Sequence, residues 1–172
     1  HQADRHSVPR IAFINKLDRA GASFDAVLQQ MRSLLSAEPV ALQVPWGEDR
    51  DLRGIVDLIT MERLSWNDDG TEMQRCAADP TDTTVSTSRE RLIDVLGDVS
   101  DQIAEWYLEG RDLPAPLLRE AVRSAVASRR LVPVLDGAAR RNIGIQPLMD
   151  AIVWYLPAPD ELPALRLINR DG

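Results

Sequence analysis

The unbroken apolar run Ile11-Ala12-Phe13-Ile14 ends in three polar groups of fixed spacing, Asn15, Lys16 and Asp18. Four apolar residues bounded by polar ones, without alternation, predict a short strand buried on both faces of a parallel sheet. The leading residues 1 to 10, with His1 and His6, read as a loop in which Pro9 imposes extended geometry. After the run, Ser23 is placed to cap a helix and Asp25 sits in its first turn. Phe24, Val27, Leu28, Met31, Leu34 and Leu35 keep the spacing of one buried stripe, and Pro39 ends the helix.

From Pro39 the pattern changes to short strand-like pieces. Val40 to Val44, Leu52 to Leu58 and Met61 to Trp66 predict an antiparallel patch, with a turn at Asn67-Asp68-Asp69-Gly70. Residues 78 to 88 are polar and turn-rich and predict a mobile connection. Two helices are expected next, the first marked by Leu92, Leu96, Val99, Ile103 and Trp106, the second running from Pro114 through Leu118, Ala121, Val122 and Ala125.

A buried-strand composition returns at Leu131 to Leu135 and leads into the small-residue turn Asp136-Gly137-Ala138-Ala139. Pro133 cannot donate to a ladder, which predicts an edge or an irregular pairing there. A last helix is expected from Gly144, with Ile145, Leu148, Met149, Ile152 and Leu156 facing inward, stopped by Pro157 and Pro159. Two strand, turn and helix units thus frame an insertion. The expected division is a core over 1–39 and 131–160, an inserted α+β subdomain over 40–130, and a tail over 161–172.

Composition narrows the classes. The chain has 172 residues, 44% hydrophobic and 27% charged, fractions of a soluble globular protein with room for one sizeable core. No apolar run approaches the roughly 20 residues a membrane helix needs. Cys76 is the one cysteine, which excludes an internal disulfide and fits a reducing compartment, cytoplasmic or alternatively mitochondrial. A net charge of −7 argues against a broad basic face for nucleic acid. The first residue is His rather than Met, which reads as an excerpt of something longer.

The chemistry of the first turn points to a nucleotide. Ligands of open α/β sheets sit beyond the carboxyl ends of the strands, where Asn15, Lys16 and Asp18 stand. A carboxylate accepts two parallel hydrogen bonds, and guanine offers an adjacent ring N–H and amino group on one edge, so Asp18 fits that edge; adenine presents a repelling acceptor instead. The Asn15 carboxamide can bond the base N7 and tie neighbouring loops together, the Lys16 stem can lie along the purine face, and Leu17 points back into the core. Asn-Lys-x-Asp is the guanine-specificity motif of GTPases.

With the second turn in view, Val8-Pro-Arg-Ile-Ala-Phe-Ile-Asn-Lys-Leu-Asp-Arg-Ala-Gly-Ala, Val132-Pro-Val-Leu-Asp-Gly-Ala-Ala-Arg-Arg-Asn-Ile-Gly-Ile-Gln-Pro-Leu-Met-Asp-Ala and Tyr155-Leu-Pro-Ala-Pro together resemble the elongation factor G family. Leu42 to Gly47, Arg53 to Leu58 and Leu64 to Asp68 resemble the insertion this family carries. The resemblance implies an α/β fold, part of a P-loop NTPase-type parallel sheet in its guanine-binding half, with an inserted α+β subdomain. It implies GTP/GDP binding through Asn15, Lys16, Leu17, Asp18, Gly137, Ala138 and Ala139, a ribosome-coupled GTPase as the whole protein, and the ribosomal stalk protein as a partner of the insertion. The family's usual Gly-Ser-Ala stands here as Gly137-Ala138-Ala139, lacking the hydroxyl but retaining backbone donors.

No G-x-x-x-x-G-K-[ST] loop occurs in the chain, so the lysine for the phosphates and the hydroxyl for Mg2+ are expected upstream, and no catalytic or metal residue is assigned here. Asp-x-x-G at Asp18 to Gly21, Asp51 to Gly54 and Asp94 to Gly97 overlaps or follows the guanine motif, the wrong order for the magnesium-linked signature. The rival class is a noncatalytic interaction module, a degenerate GTPase half binding a ribosomal partner; an upstream phosphate loop discriminates the two. A nicotinamide enzyme lacks its Gly-rich fingerprint here.

Overall fold

The structure, a computed structural model, describes residues 2–6, 8–34, 38–67, 69–158 and 161. After a short helical turn, α1 (Gln2–Arg5), where a loop was expected, come strand β1 (Ala12–Ile14) and helix α2 (Phe24–Leu34). The Ser23 hydroxyl accepts from Ala26 N–H at 3.2 Å and caps α2. Phe24 and Leu28 are buried, whereas Leu34 is exposed, so the buried stripe is narrower than its spacing predicts. Leu35 lies outside the described residues.

Strand β2 (Glu38–Ala41) corrects the expected antiparallel patch at its start. It pairs in parallel with β7 (Leu131–Asp136), giving a three-stranded sheet in the order β1-β7-β2 among the described residues. The antiparallel sheet begins only at β3 (Gln43–Trp46) and continues through β4 (Gly54–Asp57), β5 (Glu62–Trp66) and β6 (Met73–Ala77) in sequence order. The chain therefore changes sheets within two residues, at Leu42, whose N–H donates to Val134 O while its O accepts from Leu58 N–H. The turn after β5 forms as expected, with Gly70 N–H on Asn67 O at 2.9 Å and Gly70 at a φ of 71°. Its far strand, β6, carries no apolar alternation because it is a largely exposed edge.

Helices α3 (Thr83–Gly97), α4 (Asp101–Leu108) and α5 (Ala115–Ala127) follow. Part of the expected connection over 78–88 is helix, because the Asp82 carboxylate caps α3 by accepting from Thr84 and Val85 N–H. The helix expected from Leu92 to Trp106 is two helices, since Ser100 adopts extended dihedrals and starts a new one. Both supply the same core: Leu92, Leu96 and Ile103 are fully buried, together with Leu118 and Val122 of α5. Each such side chain contributes about 1.5–3 kcal/mol by leaving water. Helix α5 packs on β7, and on α6 (Ile145–Tyr155).

Pro133 does not mark an edge. Strand β7 is central, and the proline is tolerated because it pairs only with Val40 of β2, the β1 ladder starting one residue later at Ala12 and Val134. On α6 Ala151 and Tyr155 are buried, and Leu148 and Leu156 pack against the core as expected, while Met149 and Ile152 are exposed, a correction of that part of the expected stripe. The expected tail beyond Glu161 lies outside the described residues.

Candidate functional site

The two polar turns meet at the carboxyl ends of β1 and β7, which run side by side with Ile14 opposite Asp136. Three backbone and side-chain bonds fasten them. Gly137 N–H donates to Ile14 O at 3.1 Å, Leu17 N–H donates to Gly137 O at 3.1 Å, and Ala139 N–H donates to Asn15 Oδ1 at 3.0 Å. Asn15 Oδ1 also accepts from Lys16 N–H at 2.8 Å, so one carboxamide oxygen orders its own turn and the opposite one.

Lys16 is held at a φ of 66°, left-handed backbone that costs a non-glycine residue roughly 1 kcal/mol. The strain leaves Asn15 and Lys16 exposed and sends Leu17 into the core at 5% exposure, as its position in the motif predicts. Asp18 is half-buried and is the third residue of the turn in which Arg19 N–H donates to Lys16 O. All four motif residues thus stand at one strand end, beside Gly137, Ala138 and Ala139.

The second turn is built by close backbone approach. A Cβ on Gly137 would lie 2.2 Å from Ile143 O and 3.1 Å from the Phe13 ring, which only glycine avoids. Ala138 and Ile143 then exchange N–H to O bonds at 3.1 and 3.2 Å, closing a small loop whose Asn142 is left-handed. The N–H groups of Gly137, Ala138 and Ala139 all have partners within the protein, on Ile14, Ile143 and Asn15.

This loop is also gripped from the antiparallel sheet, by residues whose polar role the sequence did not announce. The Arg141 guanidinium donates to Leu52 O at 3.0 Å, Asn142 Nδ2 to Gly70 O at 2.6 Å, Trp66 Nε1 to Gln146 Oε1 at 2.9 Å, and Gln43 Nε2 to Asp136 O at 2.7 Å. A single buried polar residue inside an otherwise apolar strand piece, Gln43 between Leu42 and Val44, was the available signal.

Asp136, read from the sequence as part of the turn, is the last residue of β7 and is fully buried, with neither carboxyl oxygen hydrogen-bonded. Burial pushes its pKa up to about 8, partly offset by the nearby Gln43 amide. Asp57, half-buried, is also raised by burial, against the lowering effect of its bonds from Ile59 and Thr60 N–H. Among the described residues no group of three or more His, Cys, Asp or Glu side chains is arranged to hold a metal ion.

The Asn-Lys-x-Asp segment and the glycine-led small-residue turn thus stand at the adjacent ends of a parallel strand pair, and the chain belongs to the family described as Elongation factor Tu GTP binding domain, whose profile matches residues 1–158. Among its relatives, elongation factor G of Petrotoga mobilis is 42% identical over 170 residues, 98% of this chain and 24% of that protein. Elongation factor G 1 of Treponema denticola is 43% identical over 169 residues, 95% of this chain and 25% of that protein. A crystal structure of a Thermus thermophilus protein superposes with a TM-score of 0.78 at 28% identity, covering 92% of this chain and 24% of that one. The chain spans about a quarter of the length of the curated relatives it matches.

Proposed function

We propose that this chain is the guanine-reading part of a translational GTPase of the elongation factor G type. The observation that carries the reading is the bond from Ala139 N–H to Asn15 Oδ1, which joins the two base-contacting turns into one surface. On that surface Asp18 accepts from the ring N–H and amino group of guanine, Asn15 addresses N7, and the Lys16 stem covers the purine face. The 6-carbonyl between those edges then faces the turn Gly137-Ala138-Ala139, where the Ala139 N–H is shared between Asn15 and the base.

GTP and GDP are the ligands in this reading. Phosphate binding, Mg2+ and hydrolysis are assigned to residues outside this chain, and the whole protein is proposed to couple hydrolysis to translocation or ribosome recycling in the cytoplasm. The inserted unit, running from about Gln43 to Arg130, is proposed to offer the ribosomal stalk protein a surface. Asp94, Asp98 and Asp101 are its candidate face, exposed around the junction of α3 and α4 rather than along one helix.

Replacing Asp18 by Asn in the full-length gene product tests the base assignment. The substituted amide loses charge-assisted bonds to guanine, which costs on the order of 2 to 4 kcal/mol, roughly thirty- to a thousandfold in GDP affinity. Xanthosine diphosphate should gain, because its 2-carbonyl accepts from the new amide and is repelled by the native carboxylate. An unchanged ratio of the two affinities rejects Asp18 as the base-reading group.

A further inference from the structure

Strand β2 supports β7 along one edge, but its ladder ends at Ala41 opposite Val134, with Leu42 N–H donating to Val134 O at 3.0 Å. Alternate carbonyls of a strand face the same side, so the next acceptor on that edge is Asp136 O. Among the described residues no strand reaches it on that edge, because the chain has already turned into β3. In place of a ladder N–H, Gln43 Nε2 donates to Asp136 O at 2.7 Å, from a side chain only 2% exposed. The main chain of Gln43 meanwhile forms the first rung of the antiparallel sheet, opposite Asp57. On its other edge β7 is held by Gly137 N–H on Ile14 O, and Gly144 approaches the Asp136 carbonyl so closely that a Cβ there would lie 2.3 Å from the oxygen.

We propose that Gln43 is a positioning residue for the guanine site: its carboxamide replaces the missing ladder donor at Asp136, and so fixes the strand end from which Gly137, Ala138 and Ala139 project toward the base. The inference rests on the guanine reading given above. It makes base affinity depend on a side chain of the antiparallel sheet that belongs to neither base-contacting turn.

Among the described residues no other group donates to Asp136 O. Beyond Val134 the β2 edge is gone, and a buried carbonyl without a donor shifts or draws in water. Either response moves the Gly137 backbone, which is confined between Ile143 O and Phe13, and with it the Ala139 N–H on Asn15.

The test is Gln43→Met in the full-length gene product, a substitution of similar length and volume that removes the donor. GDP affinity is expected to fall about tenfold, through faster dissociation. Affinity for 6-thioguanosine diphosphate, which keeps the ring N–H and the amino group for Asp18 but puts a weakly accepting sulfur where the 6-oxygen faces the turn, is expected to fall clearly less. An equal fall for both ligands marks a general structural role and overturns the proposal, as does no change for either. In parallel, Asp18→Asn must alter the ratio of GDP to xanthosine diphosphate; if it does not, the guanine reading itself fails, a result independent of Gln43. Should the methionine variant fail to fold, nitrogen-15 labelling of the wild-type glutamine side chains gives the answer. The Gln43 amide signal is expected to shift on adding GDP but not pyrophosphate, and an unmoved signal overturns the proposal.

Discussion

Asn15 and Ala139, 124 positions apart in sequence, are joined by a 3.0 Å hydrogen bond from the alanine N–H to the asparagine Oδ1. The bond makes one surface of two turns that the chain reaches before and after its antiparallel sheet and the three helices that follow it. Because the same oxygen also accepts from Lys16 N–H, the left-handed backbone at Lys16 and the position of the second turn depend on a single side chain.

Truncating that side chain should therefore loosen both turns at once. Asn15→Ala is expected to lower GDP affinity by about 1–3 kcal/mol in the full-length gene product, with a smaller loss of folding stability because the site is exposed. Amide hydrogen exchange at Ala139 should accelerate in the variant without nucleotide. Unaltered exchange there would show that the turn is held by its other bonds, to Ile14 and Ile143.

Two glycines should respond differently to alanine. At Gly137 the added methyl meets Ile143 O at 2.2 Å and the Phe13 ring, so Gly137→Ala forces backbone apart between β1, β7 and the loop. A destabilisation above about 2 kcal/mol is expected, of the size of an overpacked core site. Gly21 has open space around it but a φ of 78°, so Gly21→Ala should cost only the left-handed penalty of about 1 kcal/mol. Thermal or urea unfolding of the two variants checks the order; equal losses would contradict it.

Phosphate chemistry gives a third expectation. In the function proposed above the chain addresses the base alone, and a transferred phosphoryl group needs a lysine, a magnesium ion and backbone donors around it. The 172-residue chain by itself is expected to release no phosphate from GTP above background and to bind GDP weakly. Magnesium-dependent turnover stoichiometric with the purified chain would reject this.

What the sequence made legible was the chemistry and the strongest periodicities. The run ending at Asp18, the turn at Gly137, helix α2 and the helices around Leu92 and Leu118 follow from local pattern, and tertiary packing agrees with it. Strand pairing was less legible. Val40 and Ala41 look the same whether they join a parallel or an antiparallel sheet, and the partner that decides, β7, lies about 90 residues on. The break between α3 and α4 was hidden because the stripe through Leu96, Val99 and Ile103 keeps helical spacing across it. At the site, the motif residues were readable because Asn-Lys-x-Asp is a pattern of side-chain identities at fixed spacing. Gln43, Arg141 and Asn142 bond backbone carbonyls instead, and a backbone acceptor leaves no trace in the identity of its residue.

The buried acid at the end of β7 predicts a pH dependence with a definite sign. In the folded chain the Asp136 carboxyl keeps its proton up to about pH 8, whereas an exposed aspartate releases it near its ordinary value of 3.8. Between those limits the unfolded state binds fewer protons than the native state, so stability falls as pH rises, by up to about 1.4 kcal/mol per pH unit from this group, and levels off above pH 8. Asp57, raised by burial as well, adds in the same direction. Asp136→Asn has nearly the same shape and nothing to ionise. Its stability relative to the native sequence should therefore grow from pH 5 to pH 8, leaving the Asp57 part of the dependence in place. Urea unfolding at the two pH values measures the difference directly. A gap between the two proteins that is the same at both would show that Asp136 ionises as an ordinary aspartate in the fold, and that its carboxyl has found a partner or water.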